Sequence, residues 1–388
     1  MQACLMNRDN IVLKAEINNG LFIKVIEICD INYAPLQLYN AYFDKSKSLV
    51  DVTNKWFQGR GIPSWRKDLE RLLNNLGVES NFDLLLKSYG LSLSDCYWIK
   101  EEGSNIKWDD INFFDNDFEY EGYLEATYSD SVTHNISLIS PNNTTDGMIS
   151  KAWIIEDGVR KLIKGTYTSS NQEPINEFIA TTICNKLGID AINYKIDIYK
   201  NRLVSVCDNN LNGHEEFISA YDVFLSKKKD NQTSDYNHYI NILESYGIKN
   251  AKKKLSDMYL IDYIMMNYDR HMRNYGVVRD VNTLKITRLI PIFDTGQSLN
   301  CDKLLYEMNF VDGKYKFFSN VDFKLSNLIK YIELENYDLS LLGDIPDIVI
   351  KTLSKYKLYT DMSEDRINKI TEGIRFRIDK LIELKNND

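Results

Sequence analysis

Asn267, Asp269, His271 and Asn274 stand close together in MNYDRHMRNYGVV, residues 266–278, and Asp294 follows in IPIFDTGQS, residues 290–298. Asp269 and Asn274 are five residues apart, the separation between the hydroxyl-orienting Asp and a metal-binding Asn in a protein-kinase catalytic loop. Asp294 ends an apolar strand-like run with Gly296 two residues later. That placement suits a magnesium ligand, because Mg²⁺ prefers a few hard oxygens together with phosphate. Transfer of a γ-phosphoryl group also needs a cover over the phosphates, a lysine that meets them and a carboxylate that holds the lysine. NNTTDGMISK, residues 142–151, precedes a strand and offers backbone N–H groups for this cover, with Gly147 inside it and Lys151 at its end. Lys164 closes KLIKG, and Glu177 lies one turn into the next helix. A buried ammonium needs such a carboxylate to stay charged and positioned. Glu173, at the helix start, serves more naturally as a cap. His271 is expected to hold the loop with Asn267, since Asp269 needs no second base beside it. Each Asp or Asn alone has a plainer reading as a turn or cap residue; the ordered set points to phosphoryl transfer.

Those residues must be positioned by an α+β plan. The chain opens with two apolar-rich runs around Asn18-Asn19-Gly20, a hairpin signal. SWRKDLERLLNNLG then sets Trp65, Leu69, Leu72, Leu73 and Leu76 on one helical face. From Ser140 the texture changes to short strands, with Asp157-Gly158 joining the first two. EPINEFIATTICNKLGI predicts a helix with Pro174 in its first turn and Gly188 as its stop. INYKIDIYK, RLVSVCD and EEFISAY read as further strands of the same sheet, and beyond Tyr221 the chain reads as helical except over residues 276–293. The expected architecture is a two-lobed, kinase-like fold: an accessory α+β region over 1–135, a small antiparallel lobe with one helix over 136–222, and a larger helical lobe over 223–388. A cleft between lobes is where a ligand would bind.

Composition bounds the alternatives. Of 388 residues, 47 are basic and 56 acidic, a net charge of -9 that argues against a broad surface for direct nucleic-acid binding. No apolar run approaches a membrane span, and the start lacks a basic stretch followed by an apolar one, so a cytoplasmic protein is expected. Six cysteines with no C-x-x-C pair fit a reducing compartment and no zinc site. The D-T-G at 294–296 also matches the aspartic-protease signature, but a single-chain enzyme of that class needs two, and the sequence holds one.

NYDRHMRNYG and PIFDTG resemble the HipA-like serine/threonine kinases, which share a fold with protein and phosphatidylinositol 3/4-kinases; the resemblance runs from about Ser140 to the C-terminus. The family pattern N-x-D-x-H-x-x-N is matched by Asn267, Asp269, His271 and Asn274. By position, the resemblance makes Asp269 the catalytic base, Asn274 and Asp294 the magnesium ligands, and Lys164 a phosphate-binding residue. Glu216, Phe217 and Ile218 resemble the inter-lobe strand whose backbone holds adenine, and His271 belongs to the ATP-binding set. The family's phosphate loop can carry a self-phosphorylated serine or threonine, for which Thr144, three residues before Gly147, is the match and Thr145 its neighbour. The resemblance implies ATP and Mg²⁺ as cofactors, a protein substrate, and a DNA-binding HipB-like antitoxin as partner, while some smaller relatives resemble secreted host-directed kinases. Two alternatives stay open: a catalytically weak nucleotide-binding regulator, and a kinase acting on a lipid or small molecule.

Overall fold

The computed structural model describes residues 1–66, 69–129 and 131–387. Strands β1 (Gln2–Asn7), β2 (Asn10–Asn18), β3 (Leu21–Ile28) and β4 (Tyr97–Glu101) form an antiparallel sheet in the order β3-β2-β1-β4. Asn19 and Gly20 both take positive φ, 45° and 75°. This conformation lets the β2–β3 turn follow the right-handed twist of its strands. Helices α1 (Leu36–Phe43), α2 (Leu49–Gln58), α3 (Leu69–Leu76) and α4 (Asn81–Lys87) lie between β3 and β4 in the chain. Phe57 of α2 and Leu85 of α4 pack with Leu5, Leu13 and Phe22 of the sheet in one apolar cluster. Residues 67 and 68 of the expected amphipathic helix lie outside the described residues. Ahead of them, Trp65 is 66% exposed, so the apolar stripe begins at Leu69 and not one turn earlier. Short helices α5 (Trp108–Ile111) and α6 (Glu121–Tyr128) complete this region.

A second four-stranded antiparallel sheet, in the order β5-β6-β8-β7, comprises β5 (Lys151–Glu156), β6 (Val159–Lys164), β7 (Lys195–Tyr199) and β8 (Arg202–Asp208). Asp157 and Gly158 turn β5 into β6 with φ of 53° and 75°. Between β6 and β7 runs α7 (Glu173–Leu187), with Pro174 in its first turn and Gly188 left-handed at its end, as their backbone preferences dictate. The next strand, β9 (Glu215–Ser219), does not extend this sheet. It pairs with β10 (Gly276–Asp280), which in turn pairs with β11 (Ile286–Leu289). Helices α8 (Ala220–Leu225), α9 (Asp235–Ser245) and α10 (Ala251–Met265) fill the chain between β9 and β10.

Within the expected helical block the structure also contains a hairpin, β12 (Lys314–Phe317) with β13 (Asn320–Lys324). Helices α11 (Ile345–Lys355) and α12 (Glu364–Asn387) close the chain. The largest core joins Ile179 of α7, Leu260 of α10, Leu353 of α11 and Ile374 of α12. The result is a mixed fold of several small antiparallel sheets and many helices. Its core clamps α7 and α10, the two helices from which the candidate chemistry is hung.

Candidate active site

Helix α10 ends at Met265, and the loop after it must turn sharply to reach β10. Asp262, in the last turn, is wholly buried amid apolar neighbours. A carboxylate there persists only if its oxygens are satisfied. Arg270 Nη2 and Nε donate to it at 2.9 and 3.0 Å, Asn267 Nδ2 at 2.8 Å, and the Tyr315 hydroxyl of β12 at 2.8 Å. Arg270 is 1% exposed. Burial alone would lower its pKa, but the facing Asp262 carboxylate raises it above the ordinary arginine value. The guanidinium then reaches onward: Nη1 donates to the carbonyls of Asn274 at 2.8 Å and Phe293 at 2.5 Å. One buried ion pair therefore ties the 267–274 loop to the residue that precedes Asp294.

Within the loop, Asn267 Oδ1 accepts the Asp269 N–H at 3.0 Å while its Nδ2 holds Asp262. Asn267 thus bridges the last turn of α10 and the start of the loop. His271 N–H donates to the Asp269 carbonyl and Asn274 N–H to the His271 carbonyl, both at 2.8 Å. Burial holds the His271 imidazole below its usual pKa, opposed by the nearby Asp269 carboxylate. Asn274 donates its Nδ2 to the Asp269 carbonyl at 3.0 Å, which turns its amide oxygen the other way. The Asp269 carboxylate is met by the Lys316 ammonium. Tyr315 and Phe317 on either side of Lys316 are buried, so strand alternation directs Lys316 toward the loop.

Lys164, at the end of β6, is 3% exposed and forms an ion pair with Glu177 of α7, as the sequence order implied. Ser205 Oγ donates to the other Glu177 oxygen. The same ammonium lies 2.7 Å from Asp294 Oδ1 and 5.2 Å from the Tyr194 ring centre. Desolvation would discharge it, but Asp294 and Glu177 together raise its pKa well above the ordinary lysine value. Burial would raise the Asp294 carboxyl, yet Lys164 and then Lys151 hold it below the usual carboxylate range. Asp294 also takes a φ of 56°, a left-handed backbone that asparagine and aspartate tolerate better than most residues. Its loop is fixed by Asn176 of α7, whose Nδ2 donates to the Gly296 and Ser298 carbonyls at 2.7 and 2.9 Å. Glu173 instead accepts the N–H groups of Tyr167 and Thr168, at 3.0 and 2.6 Å.

Lys151 pairs in register with Lys164 across β5 and β6. Burial pulls its pKa down to about 8, against the attraction of Asp294. A side-chain carbon added at Gly147, where φ is 97°, would come within 2.9 Å of Lys151 Nζ. The positive φ is what calls for glycine here, since the tip of a flexible lysine can shift aside. Thr144 donates its hydroxyl to the Leu91 and Pro141 carbonyls at 3.1 and 2.9 Å, and Thr145 donates to Asn142 O at 3.0 Å.

The expected adenine segment, Glu216–Ile218, lies in β9, where the Phe217 ring sits 5.8 Å from that of Phe293, the residue before Asp294. The second sheet ends at Asp208 and β9 starts at Glu215, so residues 209–214 make the connection between the sheets. Phe217 N–H donates to Ser94 O at 2.9 Å. Glu216 and Ile218 have the alternate parity, which turns their backbone groups toward β10 in an antiparallel ladder. The Glu216 carboxylate pairs with Arg279, which also reaches Tyr97 OH at 2.7 Å.

Asp294, whose Oδ1 lies 2.7 Å from Lys164 Nζ, and Asn274, whose backbone carbonyl shares Arg270 Nη1 with that of Phe293, supply the carboxylate and amide oxygen types that suit Mg²⁺ shared with phosphate. Sequence reasoning missed Asp262, Arg270, Lys316 and Ser205. Asp262 had a signal, an acidic residue inside the apolar helical run YLIDYIMM.

No family model matches the chain. Over 130 residues, 32% of this chain and 40% of the relative, it is 28% identical to the serine/threonine-protein kinase CtkA of Helicobacter pylori. The match thus spans less than half of that relative's length. A crystal structure of a Helicobacter pylori proinflammatory kinase CtkA superposes with a TM-score of 0.43 at 18% identity, covering 61% of this chain and 95% of that one. HipA of Shewanella oneidensis, solved with HipB and operator DNA, superposes with a TM-score of 0.55 at 13% identity over 99% of both chains. This last likeness is one of fold, and it takes in the first 135 residues as well as the stretch from Ser140 onward that carries the motifs.

Proposed function

We propose that this relative of the HipA-like serine/threonine kinases transfers the γ-phosphoryl group of ATP to a serine or threonine hydroxyl of a protein. One observation carries the reading: Arg270 joins the Asn274 and Phe293 carbonyls, while Lys164 ties the neighbouring Asp294 to Glu177. That network gathers an acceptor-side carboxylate, two metal-type oxygens and a phosphate-type cation from three separate segments.

In this reaction Asp269 orients the acceptor hydroxyl and takes its proton as the oxygen bonds to the γ-phosphorus and the bond to the departing ADP oxygen breaks. Lys164, kept charged by Glu177, meets the phosphates. Lys151 and the backbone around Gly147 cover them. Asn274 and Asp294 would hold Mg²⁺, whose charge would offset that of the phosphates. Lys316 places a second positive charge beside Asp269, where the transferring group passes. Glu216–Ile218 supply the adenine-side backbone, a reading supported by the Phe217 ring packing against Phe293 beside Asp294 and by β9 pairing with the strand that follows the 267–274 loop.

The remaining parts of the proposal are a HipB-like partner, a cytoplasmic site of action with export as an effector as its alternative, and self-phosphorylation at Thr144 or Thr145. No helix of the described residues is long and apolar enough to cross a membrane.

The test is incubation with γ-labelled ATP and Mg²⁺, alone and with a cell lysate, beside Asp269→Asn. Removing a catalytic base lowers transfer by about 10²–10⁴-fold, and Mg·ATP binding should persist in the variant. Equal labelling by both proteins would overturn the role of Asp269; mapping label outside residues 144 and 145 would reject the self-phosphorylation site. Mg·ATP binding without transfer to any protein would favour the regulator.

A further inference from the structure

We infer that Arg66, far from the catalytic loop in sequence, is the positioning residue of the 143–147 phosphate loop, so that the N-terminal region sets the affinity for nucleotide. This rests on the kinase reading for its consequence, but not for its geometry. Arg66 is 6% exposed. Each of its donor groups goes to that loop: Nε to the Gly147 carbonyl at 3.0 Å, Nη1 to Thr145 Oγ1 at 2.9 Å, and Nη2 to the Thr145 carbonyl. A guanidinium is a planar, rigid fork. Three acceptors on two residues of one turn therefore fix both the position and the tilt of the loop.

The loop is tethered to the same region along its length. Tyr123 OH donates to the Asn142 carbonyl at 3.2 Å. Asn143 Nδ2, on a wholly buried residue, donates to Leu84 O at 3.0 Å and Ser88 Oγ at 3.1 Å. Thr144 donates to Leu91 O at 3.1 Å, and Tyr128 OH to Ser150 O at 2.8 Å. Carbonyls and hydroxyls are thus drawn outward onto the N-terminal region. Within the turn, the Asn143 N–H donates to the Ser140 carbonyl and the Gly147 N–H to Asp146 Oδ1 at 2.7 Å, so a phosphate on the other side takes the remaining backbone N–H groups or displaces Asp146 from Gly147. Arg66 also places a positive charge behind those N–H groups. Its hydrogen-bond partners are neutral loop oxygens, and the nearby Asp146 carboxylate offsets part of this charge; the remainder adds to the potential that an incoming polyphosphate meets.

The arrangement makes a specific demand on ligands. Adenosine, which has no phosphate, does not use the loop and should bind alike whether or not Arg66 is present. Mg·ATP should lose affinity when the loop is released. The threonine hydroxyls are part of the clamp, so they become free only when it opens.

The experiment compares the full chain with Arg66→Ala and with Arg66→Met, which keeps an apolar stem to fill the space. Hydrogen exchange reports the loop directly, and calorimetric titration with Mg·ATP and with adenosine reports its consequence. The expected result is faster exchange over residues 143–148, and Mg·ATP affinity lower by about tenfold or more, with adenosine affinity unchanged. Unchanged exchange in the loop, or an equal loss for adenosine and Mg·ATP, would overturn the inference. If the natural protein binds no Mg·ATP, the kinase reading fails and exchange in the loop alone decides whether Arg66 is its clamp. Should Arg66→Ala not fold, Arg66→Met carries both measurements.

Discussion

Replacing Asp262 by asparagine tests the anchor of the site without touching a reacting group. Asp262 is wholly buried and accepts two bonds from Arg270, at 2.9 and 3.0 Å, and one each from Asn267 and Tyr315, both at 2.8 Å. Asparagine preserves the shape but carries no charge, and one of its two ends donates. Arg270, 1% exposed, would keep its charge without a counter-charge. Removing one partner of a buried pair costs about 3–5 kcal/mol, because the survivor stays desolvated. At about 1.4 kcal/mol per tenfold, that raises the opening constant of the loop by about two to three and a half orders of magnitude. Hydrogen exchange at the amides of Asp269, His271 and Asn274, which donate to Asn267 Oδ1, Asp269 O and His271 O, measures this opening locally. Phosphoryl transfer should fall with it by about a hundredfold, the usual effect of an ångström-scale misplacement. Asp257→Asn is the control: Asp257 lies on the same helix but faces Lys253 and Tyr337, and its loss should leave loop exchange unchanged. Exchange in Asp262→Asn within about threefold of the natural protein, far below the change expected from the buried pair, would refute the anchoring argument.

Lys151 gives a pH dependence. Its folded pKa is pulled down to about 8 by burial, so its ammonium is present below that value and lost above it. Phosphate favours the ammonium and raises the pKa in the complex. Mg·ATP affinity should therefore begin to fall as pH rises past about 8, measured by titration at constant ionic strength. Lys151→Arg should remove the fall, since arginine stays charged throughout; an unaltered profile would assign it to another group. Lys316→Met removes the cation beside Asp269, and transfer should slow by about ten- to a hundredfold with Mg·ATP affinity nearly unchanged. Faster transfer would mean that Lys316 obstructs the base. Asp294→Ala should weaken Mg²⁺-dependent nucleotide binding, and full retention of the metal's effect would move the ligand elsewhere.

The features legible in the sequence are those set by a few adjacent residues. Asn19-Gly20 and Asp157-Gly158 specify their turns through backbone conformations that few other pairs adopt, and Pro174 and Gly188 bound α7 for the same reason. Asn267 to Asn274 could be read because one short loop presents all four side chains. Lys164 and Glu177 follow from strand-then-helix order, since their ion pair joins the end of β6 to α7 one turn past its start. What could not be read depends on pairings between distant segments. Glu216–Ile218 were correctly a strand, but strand pattern does not state which neighbour is chosen, and β10 takes it in place of an edge of the second sheet, β5 or β7. Lys316 comes from a hairpin whose alternation in GKYKFFSN was available, yet its aim at Asp269 is fixed only by Tyr315 reaching Asp262 across the fold. Arg66 lay at the edge of an amphipathic helix extrapolated one turn too far, where a charged residue reads as solvated. Its burial follows from where the phosphate loop docks, a contact between residues 79 apart. Reacting groups are local because a single rigid loop must present them together, whereas the residues that hold such a loop still must come from elements packed around it. The chain's least motif-like region therefore contributes the clamp on its phosphate loop.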